Sequence, residues 1–321
     1  MSQNALDDYL CMGKPEEKKT IGISENPVSI IHHLFSIWSA YVMKNAPPYS
    51  NRWPDERVLD PLVKEAEKIS SAHKLPERID DMEFFIPIAS ISEDYRLYSG
   101  IFYTALLNNG VTHITIPKTA PFVGLWGYKL KRGTIELNTG SEHVGSFAEG
   151  GQIINNTDEI VGPFYHMLVG EKKLWNMGTL GRGARGGIFI NNGEVALFGT
   201  RSDGGIYINH GCTGNAGASS KNAIYINHGH IDGYFYDSTR ILINFGTLGQ
   251  FIDYNFLTGM QNDEHFIDMH KVYSLTKQGH PLRILLDKLY HATHHTAQCS
   301  VDENIVRSIV GEIHHAIRRT K

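Results

Sequence analysis

A short apolar phrase ending in Asn recurs through the middle of the chain. It reads Ile135-Glu136-Leu137-Asn138, Ile153-Ile154-Asn155, Leu174-Trp175-Asn176 and Ile188-Phe189-Ile190-Asn191. It continues as Ile206-Tyr207-Ile208-Asn209, Ile224-Tyr225-Ile226-Asn227 and Ile241-Leu242-Ile243-Asn244. The Asn residues step by 17, 21, 15, 18, 18 and 17 positions. A strand-like apolar core at a near-constant step marks a solenoid, in which each coil buries its face only against its neighbours. The pattern therefore predicts a mainly β fold: a parallel right-handed β-helix of about seven coils over residues 132–255.

Strand side chains alternate between faces. The phrase predicts that the isoleucines one and three places before each Asn point inward as a column. The residues two places before it, Phe189, Tyr207, Tyr225 and Leu242, then form an outward stripe. Such a stripe is too apolar for open water. It is expected to be an interface for flanking helices or a second subunit, or a flat platform for sugar rings. Asn191, Asn209, Asn227 and Asn244 are expected to stack as a hydrogen-bonded ladder. A glycine column accompanies the phrase, in Val144-Gly145, Val161-Gly162, Leu180-Gly181, Phe198-Gly199, Thr213-Gly214, Asp232-Gly233 and Leu248-Gly249. A glycine recurring once per coil implies a corner or a close backbone approach.

The flanks follow the helical period instead. Residues 1–25 are a polar tail, and 26–131 an α/β segment capping the solenoid. Asn26-Pro27 has the form of an N-cap and first helical residue, before an apolar face of Ile30, Ile31, Leu34, Phe35 and Trp38. A second helix is expected after Pro54, a strand over Phe84–Ile91, a helix from Tyr95 to Asn108 and a strand from Val111 to Ile116. Residues 256–321 are expected to be a helical cap, with one helix from Pro281 and another opened by the capping box Ser300-Val301-Asp302-Glu303.

The stretch Gly193-Glu194-Val195-Ala196-Leu197-Phe198-Gly199, followed by Gly204-Gly205-Ile206-Tyr207-Ile208, resembles the Gly-repeat β-helix domain of the glutamate synthase large subunit. The related Gly-repeat component of formylmethanofuran dehydrogenase is also similar. Gly133-Thr134-Ile135-Glu136-Leu137 with Val144-Gly145-Ser146 fits the same pattern. The resemblance covers about 132–250 and implies a fold and a supporting role. It carries over no catalytic residues, and the chain has no flavin, Fe–S or glutaminase motif.

Candidate chemistry gathers just after the Asn positions. His210 and His228 share an Ile-Asn-His-Gly phrase and are expected to stack on adjacent coils, with His230, Asp232 and Cys212 near in sequence. Two imidazoles and a carboxylate are a possible ligand set for a divalent metal. His291 and His295 lie i, i+4 on a helix with His294 beside them, and His314-His315 follow on the next. No catalytic residue is assigned.

Composition changes this picture little. The chain has 321 residues, 41% hydrophobic, with a net charge of −4, so it offers no basic footprint for nucleic acid. Three scattered cysteines argue against a disulfide framework. No signal peptide or membrane-spanning run is visible, and a cytoplasmic location is expected. The expected function is a non-catalytic scaffold or assembly protein, acting as a homo-oligomer or with a protein partner. The alternative is a carbohydrate-active or metal-dependent enzyme using the outer face of the coils.

Overall fold

The computed structural model describes residues 26–48, 55–157, 178–232, 241–249, 266–294 and 301–320. Helices α1 (Pro27–Asn45) and α2 (Glu56–Ser71) are followed by strand β1 (Arg78–Ile79), a 3-10 turn at Met82–Phe85, and helices α3 (Ile86–Ser90), α4 (Glu93–Arg96) and α5 (Ser99–Asn108). Then come β2 (His113–Ile116), β3 (Val123–Gly124), β4 (Thr134–Leu137), β5 (Ser141–Glu142), β6 (Gln152–Asn155), β7 (Thr179–Leu180) and β8 (Ile188–Asn191). They continue as β9 (Glu194–Phe198), β10 (Ile206–Asn209), β11 (Cys212–Ala216), β12 (Ile224–Asn227), β13 (His230–Ile231), β14 (Ile241–Asn244), β15 (Thr247–Leu248) and β16 (Phe266–Asp268). Helices α6 (Met269–Leu275), α7 (Pro281–His294) and α8 (Glu303–Thr320) close the chain.

The strands form a β-solenoid of about six turns. Its main wall runs β1-β2-β4-β6-β8-β10-β12-β14-β16, and a second runs β15-β13-β11-β9-β7, with β3-β5 as a short third piece. Every pairing is parallel and in register: Asn191 lies opposite Asn209, and Asn209 opposite Asn227. The solenoid wall is longer than 132–255, because β1 and β2 open it and β16 extends it. The stretch Phe84–Ile91, expected as a strand, is 3-10 and α-helix instead. Its apolar residues are consecutive rather than alternating, and Pro87 suits a first helical turn.

Two rungs differ from the sequence pattern. β6 pairs directly with β8, setting Asn155 opposite Asn191. No rung lies between them; the Leu174-Trp175-Asn176 phrase lies outside the described residues, as does Val161-Gly162. Leu137, not Asn138, lies opposite Asn155. Asn138 instead accepts from Asn156 at 3.1 Å, in an outer ladder that continues from Asn192 Nδ2 to Asn156 Oδ1 at 2.8 Å.

The faces of the main wall are inverted relative to the expectation. Phe189, Tyr207, Tyr225 and Leu242 are 1%, 0%, 2% and 4% exposed and belong to the solenoid interior, with Val195, Phe198, Ala216 and Ile231. They are not an outward stripe. Their rings stack, Phe189 on Tyr207 at 4.8 Å and Tyr207 on Tyr225 at 4.7 Å. The Asn ladder shares this inner face, as residues two apart in a strand must. The isoleucines Ile188, Ile190, Ile206, Ile208, Ile224, Ile226, Ile243 and Ile267 form the outer face, and α7 and α8 cover it with Leu282, Leu286, Leu289, Val306, Ile309, Val310 and Ile313. The C-terminal helices thus flank the wall. α8 is capped by Asp302, whose Oδ1 accepts from the amides of Asn304 and Ile305; Ser300 lies outside the described residues.

The glycine corners follow from the inner rings. Gly181 and Gly199 have φ of 77° and 68°, a region that L side chains avoid. A Cβ on Gly181 would meet the Tyr207 ring at 2.6 Å, and one on Gly199 would collide with the Tyr225 hydroxyl. The same glycines take up the buried phenols: Tyr207 donates to Gly181 O at 3.1 Å and Tyr225 to Gly199 O at 2.8 Å. The next corner is Ala216-Gly217, since Ala216 lies opposite Phe198, and not Thr213-Gly214.

At the other end, α5 is buried from Ser99 to Leu107 between α2 and the first coil. Gly100 lets it touch the backbone of Gly124 and Leu125, so this helix closes the solenoid interior. α1 carries the expected cap, Asn26 accepting from Val28 N at 3.1 Å.

Candidate functional site

Each ladder Asn hydrogen-bonds the next. The Nδ2 to Oδ1 distances are 2.8 Å from Asn155 to Asn191, 2.8 Å from Asn191 to Asn209, 2.8 Å from Asn209 to Asn227, and 2.7 Å from Asn227 to Asn244. Each amide also donates to the carbonyl two residues on, as Asn191 does to Gly193 O at 3.0 Å. At 0–2% exposure these amides are spent on one another, and the ladder is structural.

His210 and His228 stack as expected, with centroids 4.8 Å apart and planes 8° from parallel, and Phe245 extends the stack at 4.9 Å from His228. They face outward, at the Asn end of the Ile wall, and α7 lies over them. Tyr290 and His294 meet the His228 ring edge-on at 5.2 and 5.3 Å, and His294 meets His210 at 6.0 Å. The His228 Nε2 is 2.8 Å from Thr293 Oγ1, which itself donates to Leu289 O at 2.8 Å. A single hydroxyl proton spent on Leu289 leaves the Thr293 oxygen as acceptor. His228 Nε2 is therefore the protonated nitrogen, and Nδ1 is a bare, buried lone pair with no partner. Burial first, then the neighbouring imidazoles, lowers His228 to about 3 and His210 to about 4.

The stacking of His210 on His228 does not aim the two rings at one ion. Parallel imidazoles nearly 5 Å apart aim their nitrogens side by side, whereas ligands of one ion converge on it at roughly 2 Å. Among the described residues no three His, Cys, Asp or Glu side chains are placed to hold a metal.

His230 and Asp232 lie on the second wall. His230 Nε2 is 2.6 Å from Asp232 Oδ1, and Nδ1 is 2.7 Å from Thr247 Oγ1. Strand register sets Glu194, Cys212, His230 and Thr247 in one row across four coils. With a carboxylate fixing the imidazole, the row supplies a proton acceptor for a hydroxyl. It is also open: the His230 and Asp232 side chains are 36% and 38% exposed, so water screens their charges.

The sequence grouped His210, His228, His230 and Asp232; the structure divides them between two walls. Thr247, Tyr290 and Thr293 were missed. Phe245 was legible, occupying the position after the Asn that His228 holds one coil earlier and His210 two. The α7 partners were not, because nothing local ties a helix to a given coil. His291 touches Tyr290 at 5.9 Å, while His295 lies outside the described residues. No helix among the described residues is long and apolar enough to cross a membrane. No family model, no curated protein and no solved structure matches this chain.

Proposed function

We propose that the chain is a non-catalytic scaffold, a rigid β-solenoid whose purpose is its shape. One observation supports this above others: the side chains repeated coil after coil are engaged within the chain itself. The Asn amides bond one another, the aromatic rings fill the interior, and the isoleucines lie under α7 and α8. A kinship with the supporting Gly-repeat β-helix domains belongs to the same proposal. So does assembly with a second copy or another protein, through a surface other than the buried Phe189–Leu242 column. A cytoplasmic location is included on the strength of the scattered cysteines.

The second reading is an enzyme acting on a carbohydrate or other polymer along the outer face. The hydrogen-bonded set of Thr247, His230 and Asp232 favours it. Complementation separates the two. In cells lacking the gene, a chain carrying His230→Ala, Asp232→Ala and Thr247→Ala together should restore the wild-type phenotype if the role is scaffolding. Failure by a variant that is folded and present at wild-type level would move the function to that set.

A further inference from the structure

Three imidazoles, His210 and His228 from the coils and His294 from α7, meet at the seam between the Ile wall and its helical cover. Both coil histidines reach the C-terminal end of α7: His228 through the Thr293 hydroxyl and His210 through the Thr293 backbone. We propose that this cluster is a proton-sensitive latch, holding α7 and α8 on the Ile wall when neutral and releasing them when protonated.

Hydrogen bonding requires the neutral state. A proton added to His228 would go to Nδ1, which is buried without an acceptor. The new N–H would be unsatisfied. It would also place a cation 4.8 Å from one imidazole and 5.3 Å from another. Among the described residues, no group facing the His228 ring is a carboxylate. On the coil side the groups around the rings are Asn192, the two histidines and Phe245; on the α7 side, Tyr290, His291, Thr293 and His294. Among the described residues, the charges acting on His228 are those of the imidazoles of His210 and His294. The carbonyl end of α7 favours a cation and does raise His210 through the Thr293 backbone. Burial and His294 outweigh it, and His210 still falls to about 4. Released, the rings return toward an ordinary pKa near ~6.5. At pH 5.0 His210 and His228 then each favour the released state by up to about thirtyfold.

Hydrogen–deuterium exchange of the full chain at pH 7.5, 6.0 and 5.0, corrected for chemical exchange, tests this. Amides of 281–294 and 303–320 should exchange at least about tenfold faster at pH 5.0, while those of β8, β10 and β12 hold. A local readout is needed because His143, at the solenoid's N-terminal end, is also held low, near 3, by burial and Arg182. His210→Phe with His228→Phe, which prolongs the ring stack, should abolish the acid response. Unchanged helix exchange in the wild type, or an intact acid response in the double variant, overturns the latch. If the double variant does not fold, wild-type imidazole NMR titration decides. Expected is that His210 and His228 stay neutral until α7 releases; titration near pH 6.5 with α7 still seated overturns the proposal.

Discussion

Asn209 is the centre of the ladder. Its Nδ2 reaches Asn227 Oδ1, Gly211 O and His230 O, and its Oδ1 takes the amide of Asn191. Asn209→Ala strips partners from groups in both neighbouring coils. Leaving a buried polar group unpaired costs about 1–3 kcal/mol, and a denaturant midpoint should fall accordingly. Asn45→Ala, at the exposed end of α1, removes one solvent-facing bond to Tyr41 O and should cost under about 0.5 kcal/mol. Equal losses for the two would deny the ladder its role. Asn192 is no neutral comparison, since its amide belongs to the outer ladder.

At the scale of elements, the rung phrase and its Asn were legible in the sequence but its two faces were not. A strand buried on both sides reads as a continuous apolar run, and its period of two disappears. The outward side showed only where no helix covers it. His113, Thr115, Thr134 and Glu136 hold the outer positions of β2 and β4 and are half-buried, with Ile114, Ile116, Ile135 and Leu137 buried between them. Register carries that parity through Ile154 to Ile190 and Ile208. The step from Asn155 to Asn191 was hidden for a similar reason: 36 residues separate them, close to two coils of 18, so counting alone cannot reveal that they lie on neighbouring rungs. Nor could the coil phrases reveal that α7 covers them. The cover is testable at Leu286, fully buried against the wall. Leu286→Ala should cost about 2–5 kcal/mol in the docking of the helices. Brief proteolysis should then cut within α7 or α8 before the coils, and a digestion pattern like that of the wild type would contradict this.

For the molecule as a whole, buried imidazoles shape the response to acid; among the described residues burial lowers His113 as well as the three that follow. His143, His210 and His228 are each held well below the ordinary histidine value, chiefly by burial. The unfolded chain binds protons near pH ~6.5 that the folded chain refuses until about pH 3–4. Stability is therefore flat above pH ~7 and falls through that window by at most about 1.4 kcal/mol per pH unit per imidazole. Chemical denaturation at pH 7.5 and 5.5 should show the loss; equal stability at the two values would mean the rings are not buried neutral. The central claim concerns which face of the wall is inside, and the pair Tyr207→Asp with Tyr225→Asp tests it most directly. Far-ultraviolet circular dichroism is the measurement. With both rings in the interior, two buried carboxylates have no partners and the coils cannot close over them, so the β spectrum and its cooperative melt should be lost. A double variant that keeps a native β-rich spectrum and melt would put the aromatic column on the outside and contradict the account.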